Sequence, residues 1–341
     1  MTLAMPLRAT LASFALLVTL QPAYADDPEG VEDSDAILVG HPSAAPLPIR
    51  TQSPLVRGAY LPLPVQTPNS GAWQFTTGVQ WSNTVNAGTA PGESYLVDGE
   101  AVELDLALVG SRGAWRFRAG VPVSWRGAGT LDSFIESWHD LFGLPDGIRP
   151  QRPRDEYAIR YARAGGPTID AEDGTALGDV QLEAGRVLYA REDRELTAWV
   201  GVELPTGKEA KLTGNGATDV AGWLAGRVAL GDRFELSGQA GAAAPGGAAP
   251  LPYEDVVGFG TLALGWHATT GFTALVQLDA HSRIARGSQL KFLDSAVLLT
   301  LGGRMRFVDG YEFEAGVTED IAVDRSPDVS FYLGFRWPAF R

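Results

Sequence analysis

The chain of 341 residues contains no cysteine. That excludes a disulfide framework and lipid attachment at a cysteine. No segment beyond its N-terminal leader reaches 18 consecutive apolar residues, so the chain is not a bundle of membrane-spanning helices. Histidine is scarce, confined to His41, His139, His267 and His281. Positive charge is in deficit as well: 27 Lys and Arg against 41 Asp and Glu leave a net charge of −14. An acidic balance argues against a nucleic-acid partner and against simple electrostatic adhesion to anionic lipid.

What is present begins with an export signal. Arg8 supplies a positive start, residues 9–20 form an apolar run, and Ala23-Tyr24-Ala25 fits the small-x-small cleavage rule. Residues 1–25 therefore read as a signal peptide, removed to leave a product starting at Asp26. The apolar run is shorter than the ~20 residues that a spanning helix needs. Residues 26–70 form an arm, acidic at first, with six acids in residues 26–35, and then Pro-rich. Its seven prolines between residues 42 and 68 lack amide protons and keep the segment out of any central ladder. The arm lies either free in the periplasm or folded into a barrel mouth.

From residue 73 the pattern changes. In W-Q-F-T-T-G-V-Q-W-S-N-T-V, residues 73–85, every even position is polar or Gly, and the odd positions are mostly apolar. A period of two means an extended strand, because successive side chains leave opposite faces. The pattern recurs over 100–109, 113–125, 178–190, 194–205, 218–230, 233–243, 257–268, 271–284, 294–307, 310–321 and 328–338. Most of these runs match the ~9–11 residues of a tilted membrane-spanning strand better than the ~5–6 of a soluble one.

Short connections (Ser111-Arg112, Glu192-Asp193, Gly231-Asp232, Thr269-Thr270, Asp309-Gly310) alternate with long ones at 86–99, 126–177, 206–217, 244–256, 285–293 and 322–327. Short periplasmic turns and longer outer loops characterise outer-membrane barrels. Trp73, Trp115, Trp125, Phe234, Trp266, Phe272, Tyr311 and Trp337 sit near strand ends, where an aromatic girdle belongs. The fold class is all-β: a transmembrane antiparallel up-and-down β-barrel of about twelve strands over residues 71–341, in contact with outer-membrane lipid. The strand-like run 156–163 falls inside the long outer excursion, which keeps the count even. Phe340 followed by Arg341 departs from the usual terminal aromatic, so the last strand is expected to stop near Trp337.

Within that excursion, Leu131, Phe134, Ile135, Trp138, Leu141 and Phe142 form one helical stripe. Ser133-x-x-Glu136 reads as a capping box and Gly143 as the stop. The stripe has to cover the barrel's inner wall, the outer leaflet or another subunit. His139 and Glu136 share a helix face, but two ligands are too few for a metal site.

Chemistry-bearing positions are the inward partners of each apolar face. They comprise Arg116, Arg118, Arg227, Arg304, Arg306 and Arg336 with His281, and the acids Glu103, Asp105, Asp179, Glu183, Glu203, Asp219, Glu235, Asp279, Glu312 and Glu314. Rings of fixed charge select ions in a water-filled pore, whereas opposite charges paired across strands fill a lumen as structure. Asp279, His281 and Ser282 suggest a hydrolase triad, yet Ser282 belongs to the opposite face. Ser137, His139 and Asp140 do not converge on one helix. No catalytic residue, cofactor or metal is assigned.

The motifs Pro48-Ile49-Arg50-Thr51-Gln52-Ser53-Pro54-Leu55, Tyr60-Leu61-Pro62, and the block from Leu131-Asp132-Ser133-Phe134-Ile135-Glu136-Ser137-Trp138-His139-Asp140-Leu141-Phe142-Gly143 to Leu144-Pro145 with Arg149 resemble a proteobacterial outer-membrane β-barrel family of unknown function, domain of unknown function 3187. Thr51 stands where the family pattern has Asn. The resemblance spans roughly the whole mature chain and implies location and fold, with no catalytic residues to transfer. The expected function is a narrow passive channel for small hydrophilic solutes. A lipid-modifying outer-membrane hydrolase and a non-catalytic receptor or structural barrel are the alternatives, with the oligomeric state open.

Overall fold

A computed structural model describes residues 41–143, 147–247, 250–307, 310–321 and 329–341. The signal-peptide and acidic-leader readings therefore lie outside the described residues. The strands are β1 (Trp73–Ala90), β2 (Glu93–Arg112), β3 (Trp115–Gly127), β4 (Ala158–Arg163), β5 (Thr168–Asp170), β6 (Gly174–Leu177), β7 (Val180–Arg191), β8 (Arg194–Leu204), β9 (Asp219–Leu230), β10 (Phe234–Ala244), β11 (Val257–Thr269), β12 (Phe272–His281), β13 (Ala296–Arg306), β14 (Glu312–Asp320) and β15 (Val329–Arg336). Each of β1, β2, β3 and β7 to β15 pairs antiparallel with the next, and β15 returns to β1 from Thr76↔Arg336 to Asn83↔Val329. The result is a closed barrel of twelve strands. An antiparallel ring whose first and last strands pair has to contain an even number.

The outward face carries Leu106, Leu182, Val200, Leu224, Leu262, Val276, Leu301 and Leu333, all exposed. An exposed apolar face this extensive fits a membrane-embedded barrel. Trp115 and Trp125, both exposed on β3, mark its edges. Ten residues at about 3.3 Å each, tilted by about 40°, separate them by roughly 25 Å along the normal, the height of an outer-membrane apolar band. The tail beyond β15 turns back: Phe340 exchanges both backbone hydrogen bonds with Trp73 and stacks on Phe75 at 5.5 Å.

Two local expectations shift. The first short turn is Gly113-Ala114, not Ser111-Arg112, because Gly113 supplies the positive φ of 56° that the reversal needs. The expected loop 86–99 is instead a continuation of the β1–β2 hairpin, reversing only at Pro91-Gly92, where Gly92 has φ 75°. Its Asn and Gly content conceals an alternation that puts Tyr95 and Val97 inside. Run 156–163 does lie within the excursion: β4 pairs with the β2 extension and β5 pairs with β4. β6 and β7 share β3 as partner and part where Pro122 has no amide proton to donate.

The helix α1 (Asp132–Phe142) follows Leu131, with no side-chain cap, so the Ser133 capping box does not form. The barrel wall does the capping: Glu100 accepts from the amides of Thr130 and Leu131. Gly143, at φ 68°, ends the helix as expected. Leu131 and Ile135 pack with Val329, beside Val317 and Phe331. These are outward-facing strand positions, so the first part of the stripe, Leu131, Phe134 and Ile135, lies against the outside of the barrel near its outer rim. Phe134 meets Phe331 edge-on at 5.9 Å and stays half exposed, Leu141 is exposed and His139 is buried. Glu136 pairs with Arg154, and Asp132 with Arg149 at 3.1 Å. The side chains of Trp138 and Phe142 are not among those described.

Candidate functional site: the lumen and the arm inside it

The Pro-rich arm occupies the lumen. It starts at the short-turn end, where His41 Nδ1 donates to Thr269 O at 2.8 Å, and climbs past Ala44, Leu47 and Arg50. It reverses over residues 54–59 among the outer loops and descends past Tyr60, Pro62 and Gln66 to Pro68 and Asn69 at Ser111. Proline suits this course, because a segment lying against a side-chain-lined wall has no ladder to satisfy its amides. The carbonyls of Pro42, Pro62 and Pro68 accept from Thr273, Gln239 and Ser111 at 2.7, 2.9 and 2.8 Å.

Where the arm keeps its amides, glutamines read them. Gln277 accepts from Leu47 N at 2.8 Å and donates to Leu47 O at 3.1 Å; Gln80 treats Arg50 in the same way at 3.3 and 3.0 Å. The wall also leaves room. A Cβ on Gly265 would sit 2.4 Å from Ala44 Cβ, on Gly316 3.1 Å from Leu47 Cδ1, and on Gly201 2.3 Å from the Tyr60 hydroxyl. These inward glycines trace the path of the arm.

Three packing and charge anchors fix it. Tyr60 is fully buried with Trp199 and Trp223, whose rings stack 5.8 Å apart, and donates to Glu183 at 3.0 Å. Arg50, at 3.0 Å, and Arg57 both pair with Glu103, which also accepts from Ser124. At the tip, Leu55, Val56, Ala59 and Leu61 join Tyr95, Val97, Tyr253, Ile284 and Phe292 in a dry core that roofs the outer mouth. Outside the membrane, burial and nearby carboxylates push the Tyr157 phenol, which donates to Glu172 O, up to about 12, so it stays neutral at physiological pH. Inside, a cavity of about 30 Å³ remains, bordered by Pro46, Leu63, Gln66, Glu103, Arg118 and Arg336. That is space for about two waters.

Arg116, Arg118, Arg227, Arg304, Arg306 and Arg336 each meet a carboxylate of the ring. Arg118 binds Asp105 at 2.9 Å and Glu183 at 3.3 Å; Arg304 binds Glu314 at 2.7 Å; Arg306 and Arg336 share Glu312 at 2.8 and 3.6 Å. Arg227 reaches Glu235 at 3.4 Å, and Arg116 reaches Glu195 at 3.7 Å. Arg304 and Arg336 also donate to arm carbonyls, at Ser43, Ala45 and Gln66.

The triad does not assemble. Asp279 accepts from Thr261 and Gln277, His281 Nδ1 donates to Ser282 O, and Ser282 Oγ accepts from Gly258 N. Among the described residues no group of three His, Cys, Asp or Glu side chains could hold a metal. The sequence leaves the arm's seat open between the periplasm and the barrel mouth; the inward glycines and the inward pair Trp199 and Trp223 mark it once strand register is known.

A closed, apolar-belted antiparallel ring with short turns at one end and long loops at the other defines the class: an outer-membrane-type β-barrel. The chain belongs to the family described as protein of unknown function (DUF3187), whose model matches residues 36–338. No curated protein matches its sequence. Among solved structures it is similar to the COG4313 outer membrane channel from Pseudomonas putida F1, at 16% identity and TM-score 0.52, covering 83% of this chain and 98% of that one. It is less similar to the KdgM porin in complex with disordered oligogalacturonate (8%, TM-score 0.42, 79% and 99% covered) and to the NanC porin (8%, 0.43, 77% and 97%). At such identities the likeness is one of fold.

Proposed function

We propose that this protein is a passive outer-membrane channel for small hydrophilic solutes, held shut by its own N-terminal arm. The supporting observation is the character of the wall. Gln80, Gln239, Gln277, Ser237, Thr273 and Arg336 hold a polypeptide backbone by hydrogen bonds, much as water would. A wall that solvates amides will also solvate a hydrophilic solute once the arm moves aside. With the arm in place, the cavity bordered by Pro46, Leu63, Gln66 and Arg336 holds about 30 Å³, space for about two waters.

Conduction therefore requires that the arm leave its seat. Filling the cradle with Gly265→Leu and Gly316→Leu takes the space of Ala44 and Leu47 without deleting any of the chain. In planar bilayers the native protein is expected to open rarely, and the double variant to show frequent discrete conductance steps. If both stay silent after verified insertion, the channel reading fails. Asp279, His281 and Ser282, the triad the hydrolase alternative suggests, do not converge, and His281→Ala is expected to leave the phospholipid and lipid A content of the membrane unchanged.

A further inference from the structure

Building on that channel reading, we infer that Arg50 and Arg57 are the arm's charge latch on Glu103, and that a lumen freed of them passes cations in preference to anions. The inference starts from the charges the wall cannot balance by itself. Arg118, Arg304, Arg306, Arg336 and Arg227 have carboxylates on neighbouring strands, and Arg116 reaches across β7 to Glu195 on β8. Five inward acids have no such ion pair on the wall among the described residues. Glu103 is ion-paired to the two arm arginines alone, Asp179 accepts from Gly207 N, Glu203 accepts from Gln181, Asp219 accepts from Asn215, Gly246 N and Tyr60 N, and Asp279 accepts from Thr261 and Gln277. On the opposing side of the account stands Arg126, whose guanidinium donates to Lys211 O, with no carboxylate paired to it among the described residues.

The arm carries the compensating charge. Between residues 41 and 70 its only Lys, Arg, Asp or Glu residues are Arg50 and Arg57. Both are buried against the same glutamate, with side-chain exposures of 6% and 7%. Two guanidiniums on one carboxylate exceed what Glu103 alone needs, and the surplus faces the neighbouring acids. With the arm seated its two guanidiniums offset part of that negative excess; with the arm out, an acidic stretch of wall is exposed to water. Carboxylate-lined constrictions favour cations. One uncompensated carboxylate about 4 Å from a monovalent ion in water enriches it about fivefold.

The test uses the full chain in planar bilayers under a KCl gradient, with folding checked by heat-modifiable gel mobility. Arg50→Ala with Arg57→Ala is expected to raise the open fraction and to give a K⁺ over Cl⁻ permeability ratio of at least about five, the cation enrichment alone. Adding Glu103→Gln to that variant should lower the ratio toward one. If the arginine variant fails to fold, the Gly265→Leu, Gly316→Leu chain gives the same ratio, because its arginines have left the constriction. A ratio at or below one in a conducting variant overturns the inference and leaves the channel reading standing. Silence in every inserted variant overturns the channel reading itself.

Discussion

Arg304→Ala is expected to destabilise the barrel by roughly 3–5 kcal/mol, because removing one partner of a buried ion pair leaves an uncompensated charge. Arg304 is completely buried. It binds Glu314 at 2.7 Å, lies 3.9 Å from Glu312, and donates to the arm at Ser43 and Ala45. Its loss leaves Glu314 without its ion-pair partner inside the ring and unties the ascending limb of the arm at the same time. Arg304→Lys will restore little, since an ammonium cannot span the carboxylate and the arm carbonyls at once. Arg116→Ala is the control: its nearest acid, Glu195, is 3.7 Å away, and both side chains are partly exposed. Its effect should stay within about 1 kcal/mol. Denaturant unfolding in detergent, followed by gel mobility, reads both values.

The second large effect falls on the descending limb. Tyr60→Ala removes a fully buried ring from between Trp199, Trp223 and Ala243, a truncation worth about 3–5 kcal/mol. Because the arm docks on a ring that is already closed by β1 and β15, this cost appears as local release and not as barrel unfolding. At 3 kcal/mol the undocked population rises by roughly 150-fold. Tyr60→Phe keeps the ring and leaves Glu183 without its hydroxyl donor, for about 1–3 kcal/mol. Open probability in bilayers should follow the order native, Phe, Ala. An Ala variant that opens no more often than the native chain would show that Tyr60 does not hold the arm.

The ring was legible because its physics is repetitive. Lipid outside and polar groups inside write a period of two into each spanning strand, and Val102, Leu104 and Leu106 against Glu103 and Asp105 show it without help from any partner. The arm has no such period. Pro46, Pro48, Pro62 and Pro64 announce only that the segment cannot join a ladder, which is equally true of a free tail. Its location is written on the wall instead, in Gly201, Gly265 and Gly316 standing where an inward polar side chain belongs, and in Trp199 and Trp223 turned away from lipid. Reading those positions requires knowing which strands neighbour one another, and register is a property of the closed ring. For the same reason, Glu100 capping α1 was invisible: donor and acceptor meet only after β2 and the excursion have folded. The 86–99 stretch misled because Asn86, Gly88 and Gly99 look like loop residues, while the pairing that makes them strand comes from β4 and the opposite limb of the hairpin.

The central claim, that residues 41–70 are lodged inside the ring, can be tested with trypsin. Arg50-Thr51 and Arg57-Gly58 are ordinary cleavage sites in an extended chain, and neither is followed by proline. In the folded, detergent-solubilised protein both bonds should survive exposure that cuts them within minutes in the denatured chain, as read by mass spectrometry of the released N-terminal fragments. Cleavage at Arg57 as fast in the folded barrel as in the denatured chain would place the arm outside the lumen and contradict the account.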